Sequence, residues 1–155
     1  MYTSPRERVL AALKEINDEV LNRNVMDYSE REIFRRDVVK AIRKTGRLQY
    51  YIAGVVGTTE STISRMQYPS YRKKAYEFQL AVNLSLLAAD NFEDFIRLMI
   101  LSGNTPSKDL GKTERLVIEA ARLIYDNNFG NWEERIYMMY DVYEMVPRMI
   151  PMIRN

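Results

Sequence analysis

The 155-residue chain has no cysteine, no histidine and a single tryptophan. The first two absences remove much of the catalytic repertoire, because imidazole is the usual base near neutral pH and thiolate or imidazole the usual zinc ligand. Cysteine proteases, Ser-His-Asp hydrolases, zinc fingers and disulfide scaffolds cannot be built from this sequence. There is no Gly-rich phosphate loop of the P-loop or dinucleotide type. The acidic pairs Glu133-Glu134 and Asp90/Glu93/Asp94 fall at helix starts, where carboxylates complement the macrodipole. No catalytic residue, metal site or cofactor is expected. An uninterrupted apolar run near the roughly 20 residues of a membrane span is also missing. Met1 to Leu21 has no basic-then-apolar leader pattern, so a cytoplasmic protein without membrane partners is expected. With 46% hydrophobic and 28% charged residues, the composition fits one ordinary globular domain and excludes disorder and collagen.

The charge is unevenly spread. Residues 1–30 carry 4 basic and 6 acidic side chains, residues 31–74 carry 11 and 3, and residues 75–155 carry 8 and 12. A central block of net +8 between two acidic flanks suits a polyanion-binding surface, since Lys and Arg facing phosphates release condensed counterions. The alternative is a solvated basic face.

The periodicity is helical throughout, and no window alternates strictly enough for a strand. Ser4, Pro5 and Glu7 start a helix over 5–22, with Val9, Leu13, Ile16 and Val20 as its apolar stripe. Ser29 and Glu32 repeat the capping pattern before a second helix, with Ile33, Phe34, Val38, Ala41 and Ile42 inward and Arg35, Arg36, Lys40 and Arg43 outward, ending at Thr45-Gly46. Helices over 48–56 and 59–67 follow, then a longer one over 71–87 after the break Tyr68-Pro69-Ser70. Asn91 caps a helix that runs to Ser102-Gly103, and two more are expected at 113–126 and 132–146, joined by a polar turn. The expected fold is all-α, a compact domain of about seven or eight helices containing a helix-turn-helix.

The stretch from Gln49 to Met66 meets the physical needs of that motif. Ala53 is small where two helices approach closely, and Gly57 stands where the turn calls for a positive φ. Ile52, Val56, Ile63 and Met66 are apolar where the helices must be pinned to a core. Thr59, Glu60, Ser61, Ser64 and Arg65 are short or polar on the outward face, suited to base edges and phosphates. Gln49, Ile52, Ala53, Gly57, Ser61, Thr62, Ile63, Ser64 and Arg65 match the pattern Gln-x-x-Ile-Ala-x-x-x-Gly followed by a Ser-x-x-Ser-x-Ile-Ser-Arg-like stretch. In this the chain resembles the lambda-repressor-like (Cro/CI, XRE-type) helix-turn-helix proteins, over residues 31–101. Thr58 departs from the usual apolar residue after the turn glycine. Glu60 stands where relatives carry Gln or Arg, and can accept from cytosine N4. Tyr50 and Tyr51 read as packing residues, with a phosphate contact as the other reading.

The resemblance implies a sequence-specific double-stranded DNA-binding regulator, in particular a repressor, of bacterial or phage origin, binding as a homodimer. It implies that Gln49 donates to a phosphate and braces the recognition helix, and that Glu60, Ser61 and Ser64 lie over base edges with Arg65 on guanine or phosphate. Arg43, Lys44 and Arg47, with Arg72, Lys73 and Lys74, would hold flanking phosphates. Residues 95–126 are similar to the tail that follows this motif in some small bacterial proteins. Residues 1–30 then form an N-terminal helix and connector, and 102–155 a helical hairpin for oligomerisation or for a protein or small-molecule effector. In that hairpin Ile136, Met139, Tyr140, Tyr143 and Val146 exceed one amphipathic face and require either an intramolecular core or a second subunit. Trp132 reads as packing, with an effector pocket as the other reading. Two other functions stay open: a DNA-packaging protein similar to small terminase subunits or an architectural protein, and an adaptor whose helix-turn-helix binds protein, with Glu60 in its favour.

Overall fold

The computed structural model describes residues 28–69, 71, 76–104 and 111–153, with side-chain surroundings over the same residues except 28, 112 and 146–153. The expected helix over 5–22 lies outside them. The described residues form seven helices and no strand. In chain order these are α1 (Tyr28–Thr45), α2 (Gln49–Val56), α3 (Glu60–Met66), α4 (Phe78–Ala88), α5 (Phe92–Leu101), α6 (Lys112–Asp126) and α7 (Trp132–Ile153).

At the centre lies α4, because it is apolar on every side: all residues from Leu80 to Leu87 are buried, including Asn83 and Ser85. It packs against α1, α2, α5 and α7, while α6 bridges α5 and α7. Phe34, Val38 and Ile42 of α1, Ile52 and Val56 of α2, Ile63 and Met66 of α3, and Ile136 and Met139 of α7 all enter this one core.

Helices as short as α2 and α3, with 8 and 7 residues, are unstable alone. Their ends are held by side chains from elsewhere in the fold. Tyr140 of α7 donates to the Val55 carbonyl at 2.9 Å, and Asn83 of α4 donates to that of Val56 at 3.0 Å. Tyr143 in turn donates to Asn83 Oδ1 at 3.1 Å. At the end of α4, Arg135 donates to the Leu86 carbonyl at 2.9 and 3.1 Å, and Tyr125 to that of Ala89 at 3.0 Å. Each bond to a backbone carbonyl satisfies a group that a helix C-terminus leaves without an internal partner.

Several sequence expectations need correction. Ile33 is 39% exposed, whereas Arg35, expected outward, is 5% exposed. A wider apolar face takes their place, with Val39 buried beside Phe34, Val38 and Ile42. The helix expected over 71–87 begins only at Phe78, because the backbone before it leaves helical geometry to dock: Tyr76 N–H donates to the Ser102 carbonyl, and Asn104 Nδ2 to that of Tyr76, both at 3.0 Å. The last helix continues to Ile153, past the expected stop at 146. Ile136 and Met139 are fully buried, and Tyr140 and Tyr143 are half-buried in hydrogen bonds to α2 and α4. Ile136 and Met139 thus enter the core of the subunit and Tyr140 and Tyr143 pack against it; the Val146 side chain lies outside those described.

Gly54 of α2 and Gly57, which closes it, have opposite roles. Gly57 has φ +82°, and a Cβ there would stand 2.7 Å from Tyr140 Oη, whereas a Cβ at Gly54 would meet nothing within 4 Å. Gly57→Ala should therefore cost about 1–2 kcal/mol from backbone strain, plus the clash, and cost less in a Tyr140→Phe background. Gly54→Ala should stabilise by about 0.5–1 kcal/mol; urea denaturation of the four variants reads both.

Burial raises the tyrosine pKa of Tyr76, Tyr125 and Tyr143. Each phenol is held protonated by the fold, so the stability it contributes is full below the unfolded value near 10 and is lost as pH rises beyond it. Urea midpoints at increasing alkaline pH should fall, and a flat profile would contradict these burials.

Candidate nucleic-acid interface

The turn between α2 and α3 is three residues long and each performs a local task. Gly57 closes α2 in the left-handed region, its N–H donating to the Ala53 carbonyl at 3.0 Å. Thr58 N–H donates to the same carbonyl at 3.0 Å, and its side chain is half-buried. Thr59 caps α3, its Oγ1 accepting from Thr62 N–H at 3.1 Å. Ile52, Ala53, Val56, Ile63 and Met66 are buried as the motif requires.

On the opposite side of α3, Glu60, Ser61 and Arg65 are exposed and Ser64 is half-buried. Arg65 Nε lies 3.4 Å from the Ser61 carbonyl, one turn back. Thr59 is exposed as well as capping. Gln49 is exposed but makes no hydrogen bond to α3 among the described residues, so its expected bracing role is absent. Tyr50 is 62% exposed rather than packed.

The bracing falls instead to Arg35. Its Nη1 donates to the Met66 carbonyl at 2.8 Å, capping α3 at the negative end of its dipole, while Nε and Nη2 hold Glu32 at 2.9 and 2.6 Å. The Glu32 hydrogen bond raises the guanidinium pKa, against the lowering effect of burial. Helical spacing sets Arg35 on one face with Val38, Val39 and Ile42, and Arg36 on the other with Lys40 and Lys44; the carbonyl that Arg35 caps is given only by the position of α3.

Beside this cap runs a groove of about 630 Å3, lined by Arg35, Arg36, Lys40, Arg43 and Lys44 with Val39, Gln67 and Pro69. It contains five cations and no carboxylate. Arg36, Lys40 and Lys44 recur every four residues on α1, so like charges face one another along the helix, which is mildly destabilising. None of the three has a carboxylate within ion-pair distance among the described residues. Arg36 and Lys40 are legible in the sequence as an i, i+4 pair of like charge, outside the Gln49–Met66 motif. Arg43 and Lys44 also complement the C-terminal dipole of α1, and Arg43 Nε donates to Gln67 Oε1 at 3.3 Å.

Arg47 is turned toward α7. Its guanidinium lies 4.9 Å from the Tyr51 ring centroid and 3.5 Å from Glu133 Oε1, and Tyr51 Oη donates to the other oxygen of Glu133. That hydrogen bond pushes the Tyr51 phenol up to about 12. Arg72, Lys73 and Lys74 lie outside the described residues. Among the described side chains of α7, Tyr137 and Met145 are large, apolar and 51% and 52% exposed, and are ones that a second subunit could cover. Among the described residues no group of His, Cys, Asp and Glu could hold a metal ion, and no helix is long and apolar enough to cross a membrane.

No protein family, curated protein or solved structure matches the chain.

Arg35→Ala leaves the Met66 carbonyl and Glu32 without their buried partner, which should cost about 3 kcal/mol. Arg35→Lys keeps the charge but loses the planar fork and should recover only part of it. Urea midpoints at unchanged slope measure both, and an Arg35→Ala midpoint equal to that of the parent would remove Arg35 from its bracing role.

Proposed function

We propose that the protein is a sequence-specific double-stranded DNA-binding transcriptional regulator, a repressor that occupies its operator as a homodimer and reads the major groove with α3. One observation carries this reading: the polar face of α3, fixed at its start by Thr59 and at its end by Arg35, stands beside a groove of five cations and no carboxylate. Phosphates would neutralise the repulsion along α1, and Glu60, Ser61, Ser64 and Arg65 would meet base edges. In a two-fold dimer the two α3 helices would stand about 34–36 Å apart.

A second reading is favoured by the exposed Leu48, Tyr50 and Tyr68, at 65%, 62% and 61%. Large apolar side chains within and beside the helix-turn-helix, with Glu60 on its outward face, suit an adaptor that binds protein. A packaging or architectural role shares the basic groove but needs no sequence preference.

Fluorescence anisotropy with a duplex from the region upstream of the protein's own gene and a scrambled duplex, at about 50 and 200 mM salt, separates the three. A regulator prefers the upstream duplex about 10³-fold, and Arg65→Ala narrows that preference. Arg36→Ala and Lys40→Ala should weaken both duplexes alike and each reduce the salt slope by about one. Equal, steeply salt-dependent affinities point to the architectural role, and absence of binding at the lower salt refutes nucleic-acid recognition.

A further inference from the structure

A second cleft, of about 530 Å3, lies between α1, the α4–α5 junction and the start of α7. Its volume is that of small-ligand sites, about 300–1,000 Å3. Ala41, Leu98 and Trp132, the only tryptophan of the chain, give it apolar walls. Most of its charges are already satisfied. Asp37 and Asp94 hold Arg97 at 2.7 and 3.0 Å, and Arg135 is engaged by the Leu86 carbonyl. Asp90 is exposed. Lys40 and Lys44 remain without a carboxylate partner among the described residues, and both also line the groove beside α3. The lining holds four cations against three carboxylates, so one negative charge is lacking.

We propose that this cleft binds a small organic monoanion, a carboxylate or sulfonate on an aromatic or apolar body, with the anion on Lys40 and Lys44 and the body against Trp132, and that this ligand opposes DNA binding. The regulatory half rests on the duplex-binding reading above. An ammonium drawn into the cleft is withdrawn from phosphates in the neighbouring groove, and the coupling is reciprocal. A second connection runs through the cleft wall. The Trp132 ring stands edge-on to Tyr51, at 6.4 Å and 89°, and Tyr51 shares Glu133 with Arg47.

Anilinonaphthalene sulfonate, an aromatic monoanion that emits in apolar sites, tests this on the full chain with excitation of the single tryptophan. The expected result is saturable one-to-one binding with energy transfer from Trp132. Lys44→Gln should weaken it about tenfold, the loss of one charge-assisted contact. Ala41→Leu, which fills the cleft without touching a cation, should weaken it too; Ala88→Leu replaces it if thermal unfolding finds that variant misfolded. The uncharged phenylnaphthylamine should not respond to Lys44→Gln. Non-saturable probe binding, or binding indifferent to these substitutions, overturns the site. Probe and duplex should each weaken the other. Independent binding of both overturns the regulatory half, whereas failure of the duplex alone to bind, with probe binding still dependent on Lys44, leaves the site standing and removes the DNA reading.

Discussion

Much of this fold depends on long polar side chains that reach across the core to the carbonyl ends of short helices. Tyr140 and Asn83 close α2, Arg35 closes α3, and Arg135 and Tyr125 close α4. Such a bond contributes a net 0.5–1.5 kcal/mol or about that, while a buried carbonyl left unmatched costs roughly 1–3 kcal/mol. The arrangement therefore acts mainly as a constraint on where each helix can end. It also ties the C-terminal hairpin to the helix-turn-helix, because the residues that cap α2 stand on α4 and α7. Asn83, buried and linked to Val56, Tyr140 and Tyr143, is the joint between them.

The first helix carries the second constraint. Its inward face supplies Phe34, Val38 and Ile42 to the core and Arg35 to the cap of α3. Its outward face carries cations at every fourth residue. The acidic residues of the segment do little to relieve that face, since Glu32 is held by Arg35 and Asp37 by Arg97. A helix with Glu32 and Asp37 already engaged, and with Arg36, Lys40 and Lys44 left without a carboxylate partner among the described residues, is electrostatically suited to a polyanion. The same ridge forms one wall of the cleft at Trp132, so Lys40 and Lys44 line both hollows and would be the physical basis of the proposed competition.

The helical elements were largely legible where a local rule governs. Gly57 with its positive φ, Thr59 as the cap of α3, Asn91 as the cap of α5 and the polar turn before Trp132 follow from backbone sterics and from hydrogen bonds that reach three residues or fewer. The buried set of the motif followed from helical spacing. The candidate site was legible in its exposed face, Glu60, Ser61 and Arg65, but not in what holds that face in place. Helical spacing sets Arg35 on the apolar face of α1 and Arg36 off it, but does not say which carbonyl Arg35 would cap, and the surplus of apolar residues on the last helix did not say whether its own core or another subunit would take them up.

The division has a physical cause. Helical periodicity, turn chemistry and the basic block over 31–74 are properties of neighbouring residues, and they determined an all-α chain with a helix-turn-helix in its most cationic third. Which polar side chains turn inward is decided by orphan carbonyls some 30 to 85 residues away in sequence, as for Arg35 with Met66 and Tyr140 with Val55. Those distances have no local signature, so the tertiary structure alone decided that α7 completes the core and that Arg35 anchors α3. It alone decided, too, that the cations of α1 face two neighbouring clefts.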